Sequence, residues 1–147
     1  MPTKVNKGVL GAGLVLLMIF GGCASVGETN KSLYQRLGGK EAIVAVVDDF
    51  VGNIAADKRI NQQFANTNIP RLKQLLVEQI CAGTGGPCTY TGRDMKTTHT
   101  GRNISEAHFN ALVEDLIKTL DKFGVPAREK NELLGILGPM KSDIINR

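Results

Sequence analysis

The stretch Ser105-Glu106-Ala107-His108-Phe109-Asn110-Ala111-Leu112-Val113-Glu114-Asp115-Leu116-Ile117-Lys118-Thr119-Leu120-Asp121-Lys122-Phe123 decides the fold class. Its apolar residues Phe109, Leu112, Val113, Leu116, Ile117, Leu120 and Phe123 follow the i, i+3, i+4, i+7 spacing of an amphipathic helix, and Ser105 supplies its N-cap. Downstream, Gly124-Val125-Pro126 breaks the pattern. A last helix is expected from about Ala127 to Ile145, with Leu133, Leu134, Leu137, Met140 and Ile144 inward and a kink at Gly138-Pro139. Upstream lie a brief helical piece over Asp94–Thr100 and a loop from Ala82 to Arg93 containing Gly83-Thr84-Gly85-Gly86-Pro87. Before that, Asn68 caps a helix whose Leu72, Leu75, Leu76 and Ile80 share a face, and Pro70 fits its first turn. A short turn is expected at Ile60–Phe64. Ile43, Val46, Val47, Phe50, Val51 and Ile54 mark a helix from Lys40 to about Ala56. Ser32-Leu33-Tyr34-Gln35 has the form of a capping box and opens a very short helix that stops at Gly38-Gly39. The sum is four substantial helices plus fragments: an all-α chain without internal repeats.

With 147 residues, 42% hydrophobic and 22% charged, the chain suits one domain with an apolar core and is neither disordered nor two domains. Aromatic residues are 5% with no Trp, which argues against a stacking platform for single-stranded nucleic acid. The net charge of +4 includes Lys4 and Lys7; from Cys23 onward 16 basic residues face 14 acidic ones. So small a balance gives no footing for nucleic-acid binding.

Lys4 and Lys7 precede an apolar run from Val9 to Phe20. As a helix it would reach only about 18 Å, short of the ~30 Å hydrocarbon core. Residues 1–22 therefore read as a signal peptide. Phe20-Gly21-Gly22-Cys23 resembles the lipobox of bacterial lipoproteins, which implies cleavage before Cys23 and lipidation of that residue; Phe20 departs from the Leu usual there. Ordinary cleavage nearby and an uncleaved anchor are the alternatives. Each of the three exports the domain, to the periplasmic face of a bacterial membrane if the lipid is present. Residues 23–31 read as a flexible tether, and 32–147 as the folded domain.

Export changes the reading of Cys81 and Cys88, an even pair in an oxidising compartment. A disulfide is expected, with two free thiols as the alternative. A zinc site built from Cys81, Cys88, His99 and His108 has the spacing C-x6-C-x10-H-x8-H, far from the pattern that lets two ligands share one turn.

Other chemistry is thinly represented. Asp48 and Asp49 are adjacent on a helix and diverge by roughly 100°, so they make no acid–base dyad and read as a solvated face. The glycine-rich loop lacks the lysine and helix N-terminus of a phosphate cradle. His99 is the residue of interest. It sits on a helical fragment set apart by the glycine-rich loop, with Met95 one turn before it, in a chain whose apolar faces want a flat, apolar partner. His108, in the first turn of the Ser105 helix, reads as an exposed or capping His.

The segments Ser32-Leu33-Tyr34-Gln35-Arg36-Leu37-Gly38-Gly39, Val47-Asp48-Asp49-Phe50, Ile69-Pro70-Arg71-Leu72-Lys73, Gly85-Gly86-Pro87, Tyr90-Thr91-Gly92-Arg93-Asp94-Met95-Lys96 and His99 occur in one order. Together they resemble the group I truncated globins, bacterial haem proteins, over nearly the whole of residues 32–145. The resemblance implies a two-over-two helical sandwich around haem b. It places His99 as proximal iron ligand, Phe50 and Phe64 as aromatic rings near the haem, and Tyr90 and Met95 on the proximal, propionate-side segment. Arg71 or Lys73 would meet a propionate. Where the family commonly has a distal Tyr this chain has Val51, and Leu72 and Leu76 stand where polar distal residues are frequent. The distal pocket is thus expected to be apolar.

The function so implied is reversible binding of oxygen or another diatomic gas such as NO or CO, rather than catalysis. NO dioxygenation, known in some relatives, is disfavoured by the missing Tyr. An electron donor is the further partner expected. The alternatives are an exported haem or thiol redox or gas-sensing module, using Cys81–Cys88 to shift the loop before His99, and a haem-free helical lipoprotein adaptor.

Overall fold

The computed structural model describes residues 30–147; the signal segment, Cys23 and most of the tether lie outside the described residues. Among the described residues every regular element is helical: α1 Leu33–Arg36, α2 Gly39–Ala56, α3 Ile69–Gly83, α4 Met95–His99, α5 Glu106–Lys122, α6 Ala127–Leu137 and α7 Lys141–Ile144. Single 3₁₀ turns occupy Asn61–Phe64 and Gly138–Met140. The last expected helix is therefore two, divided where Gly138-Pro139 removes a backbone donor. No helix among the described residues is long and apolar enough to cross a membrane.

The caps expected from composition form. Ser32 Oγ accepts the Gln35 N–H while Gln35 Oε1 accepts the Ser32 N–H, and Asn68 Oδ1 accepts the Arg71 N–H. At α5 the box closes through a histidine: Ser105 Oγ accepts the His108 N–H and His108 Nδ1 accepts the Ser105 N–H. The two Gly-Gly sites have separate reasons. Gly38 turns between α1 and α2 at φ +93°, a conformation that penalises any Cβ. Gly86 lies so near Tyr34 and Cys81 that a Cβ would stand 2.7 Å from the Cys81 sulfur.

Helix α2 is central, packing on α3 along one side and on α5 along another, while α1 bridges α2 and α6, and α4 packs on α7. Helix α6 joins the core through Leu133 and packs on α1. Ile43, Val47, Phe50, Val51 and Ile54 of α2 meet Val77, Ile80 and Cys81 of α3, Ala111, Leu116 and Leu120 of α5, and Leu133 of α6 in one buried cluster.

Helix α5 is turned relative to its apolar periodicity. Ala111, Asp115 and Thr119 are buried, whereas Phe123 is 43% exposed. The cause is polar. Thr119 Oγ1 accepts from Asn53 Nδ2 at 2.8 Å and donates to Asp49 Oδ2 at 3.3 Å, and Lys122 pairs with Asp49. Asp49 is accordingly half-buried and bonded across the helix interface, not part of a solvated face; Asp48 is exposed and pairs with Lys73.

Candidate functional site

Five residues of α4 follow a loop that can be neither helix nor strand. Asp94 Oδ1 accepts the Thr97 N–H at 2.8 Å and so starts the helix. One turn later His99 Nδ1 lies 2.8 Å from the Met95 carbonyl oxygen. A carbonyl only accepts, so Nδ1 carries a proton, and in the neutral ring Nε2 then keeps a bare lone pair. That tautomer is the one a metal-ligating imidazole needs, with its second nitrogen already anchored.

His99 opens onto a narrow cleft walled by Phe64, Ile104, Phe109, Leu112 and Ile144. Gln63 and His108 are its other polar groups. Of the residues expected at the site, Phe64 and His99 meet in this cleft. Phe50 and Val51 are instead buried on α2, where Leu72 and Leu76 of α3 pack against the same core cluster. Met95 lies between these groups: Gln79 Nε2 of α3 is 3.9 Å from its sulfur and donates to the Met140 sulfur at 3.0 Å. Thioethers are weak acceptors, so this amide sits between α3 and α4 without a strong partner. Tyr90 folds over Gly92 and its hydroxyl donates to the Arg93 carbonyl at 3.0 Å, with burial pushing its pKa upward. Neither basic residue expected near a propionate is free: Arg71 bonds Thr91, and Lys73 pairs with Asp48.

Cys81 and Cys88 form a disulfide with a Cα–Cα distance of 5.7 Å, so no thiolates remain for zinc. Among the described residues no three His, Cys, Asp or Glu side chains gather as a metal cage. One prepared imidazole beside an apolar cleft fits a metal that arrives with its other ligands attached, as iron does in a porphyrin.

This helical fold and a single prepared histidine beside an apolar slot define a globin of the short, two-over-two class. The chain belongs to the bacterial-like globin family, whose profile matches residues 32–146. It is 40% identical over 113 residues to a group 1 truncated haemoglobin of Mycolicibacterium paratuberculosis, covering 77% of this chain and 83% of that one. Truncated haemoglobin from Tetrahymena pyriformis, in its Fe(III) form, superposes with a TM-score of 0.76 at 30% identity, over 80% of this chain and all of that one. The 2/2 haemoglobin of a Synechococcus species, in a cyanomet state with covalently attached haem, gives 0.75 at 32% identity over the same shares.

Proposed function

We propose that this globin holds haem through a bond from His99 Nε2 to iron and binds a diatomic gas reversibly. The observation that carries the assignment is the Nδ1–H bond to the Met95 carbonyl, which selects the tautomer and orients the ring before any metal arrives. Haem, when bound, supplies an iron atom with one face left for the gas. Phe64 offers an aromatic wall in the same cleft as His99. We infer that the gas side is formed by Val51, Leu72 and Leu76, which sit in or against the α2–α3 core and carry only C–H groups that donate no hydrogen bond. A gas that draws negative charge, as oxygen does, loses one neutral hydrogen bond worth about 0.5–1.5 kcal/mol there, a factor of roughly 2–12 in affinity. CO and NO lose less. Such a pocket favours exchange of ligand over turnover, so the reading is a binding protein, not an NO dioxygenase.

The reading extends to place. Residues 1–22 act as an export signal and Cys23 takes a lipid, which tethers the domain at the periplasmic face of a bacterial membrane, within reach of an electron donor that keeps iron ferrous. The Cys81–Cys88 disulfide supports this reading, since such bridges persist in oxidising compartments.

Absorption spectra of ferric, ferrous and CO-bound protein beside His99→Ala test the assignment. The variant is expected to lose the imidazole-bound ferrous spectrum and to release haem more than about 100-fold faster, since even outer-shell losses cost 10–100-fold. Unchanged spectra would remove His99 from the iron.

A further inference from the structure

Helix α4 contributes no buried residue, yet it carries a ring that must be held to within roughly 0.5 Å to serve as a ligand. Packing alone does not fix so short an element. Its C-terminal side is tied by backbone bonds, Gly101 N–H to the Arg147 carbonyl and Asn146 N–H to the Ile104 carbonyl.

Its N-terminal side is reached from α3. Thr91, an exposed loop residue, donates both its N–H and its hydroxyl to Glu78 Oε2, at 2.9 and 2.7 Å. Its hydroxyl and carbonyl oxygens accept from Arg71 Nη2, at 3.1 and 3.4 Å. Glu78 is itself oriented by Gln74, whose amide donates to Oε1 at 2.8 Å. Arg71, Gln74 and Glu78 stand at i, i+3 and i+7, one stripe along α3. Three residues past Thr91 stands Asp94, the cap of α4, and the turn between them is closed by Tyr90 donating to Arg93. Exposed loop residues ordinarily give such bonds to water; here all four go to one helix. The Thr91 hydroxyl, then its N–H, hold the Glu78 carboxyl below the usual range, so it stays ionised as an acceptor.

We propose that Arg71, Gln74, Glu78 and Thr91 form a positioning relay that sets the proximal helix α4, and with it His99, relative to the distal helix α3 from outside the haem slot. Its consequence at iron rests on His99 being the ligand. The relay joins α3 to the loop that leads into α4, so a shift of α3 is carried to the imidazole.

Thr91→Val removes the hydroxyl and keeps the shape; Thr91→Ser keeps the hydroxyl. Two readouts apply: amide exchange over residues 93–100 in haem-free protein, and the iron–imidazole stretching band of the ferrous haem protein by resonance Raman. In Thr91→Val, exchange is expected to rise roughly tenfold, since two hydrogen bonds are lost, and the band to shift or broaden. Thr91→Ser should match wild type in both, and Glu78→Gln should follow Thr91→Val. Wild-type exchange in Thr91→Val overturns the relay, as does equal disturbance in Val and Ser variants, which would assign the effect to the backbone. His99→Ala separates the two readings: a band that survives it overturns the ligand assignment, while the exchange arm still decides the relay.

Discussion

The α2–α3 region and the α4 segment are built by different physics. Between them α2 and α3 bury Val47, Val51, Ile54, Ile80 and Cys81, and position follows from apolar contact. Helix α4 buries nothing completely and is held by hydrogen bonds, a disulfide at the start of its loop, and the C-terminal segment. Burial is collective and tolerates the loss of no large group cheaply; directional bonds are few, local and separately removable. Substitutions in the packed half should therefore lower the stability of the whole domain, and those in the bonded half should loosen one segment and leave the rest.

The largest effect tests the first half of that statement. Leu120→Ala, at a position 1% exposed, should cost about 2–5 kcal/mol in urea unfolding of haem-free protein. Exchange should rise in every helix together. A rise confined to α5 would break the contrast. Removing the covalent link by Cys81→Ser with Cys88→Ser should cost about 2.5 kcal/mol on the chain-entropy account. Here the increase in exchange should concentrate in residues 82–93. Cys81 is 0% exposed, so the folded protein should resist mild reductants that act on open disulfides. Smaller again is Val51→Tyr, which, on the proposal that Val51 faces the gas, adds a donor there. Stopped-flow release of oxygen should slow by roughly 2–12-fold, with CO release nearly unchanged. Equal slowing of both gases would indicate crowding, and so refute the account of the pocket as one that merely lacks a hydrogen bond.

Legibility from sequence divides along the same line. The packed half could be read because burial imposes a period: Ile43, Val47, Phe50 and Ile54 announce α2, and Leu116 and Leu120 announce α5. Caps were legible because Ser32, Asn68 and Ser105 act within four residues of themselves. The expectation of export, with an even pair of cysteines, made the Cys81–Cys88 link readable, and family resemblance singled out His99 as the candidate ligand. Two kinds of feature escaped. Phe123 extends the apolar period of α5 yet points outward, because Thr119 and Asp49 bond across the interface and fix the rotation of the helix; no period records a pairing 70 residues apart. The grip of Glu78 and Arg71 on Thr91 likewise joins a helix to a loop 13 and 20 residues away, and single threonines in loops carry no signal of partnership. Gln79 of α3 likewise meets Met95 and Met140, 16 and 61 residues away, contacts that leave no local signal.

Acid separates two sites, one in each half, because Asp115 and Glu78 shift in opposite directions. Asp115 of α5 is 6% exposed and its Oδ2 has no hydrogen-bond partner; burial first, then the nearby Asp57 charge, raises its pKa, against the pull of Arg59. A raised carboxyl contributes stability below the ordinary carboxylate range and loses it as pH climbs through the raised value. Glu78 and Asp94 are lowered, chiefly by the hydroxyl of Thr91 and by Thr97 respectively. Their contribution is present above the ordinary range and is lost as pH falls through the depressed values. Acidification of haem-free protein from neutral pH should thus slow exchange at the amides around Asp115 relative to residues 93–100, where it should quicken after correction for intrinsic rates; Glu106 and Asp49, both lowered, oppose the trend at the two ends of α5. Asp115→Asn should flatten the first trend and Glu78→Gln the second, each leaving the other in place. If either substitution flattened both, the two regions would be titrating as one cooperative unit, and the division between a packed and a bonded half would not hold.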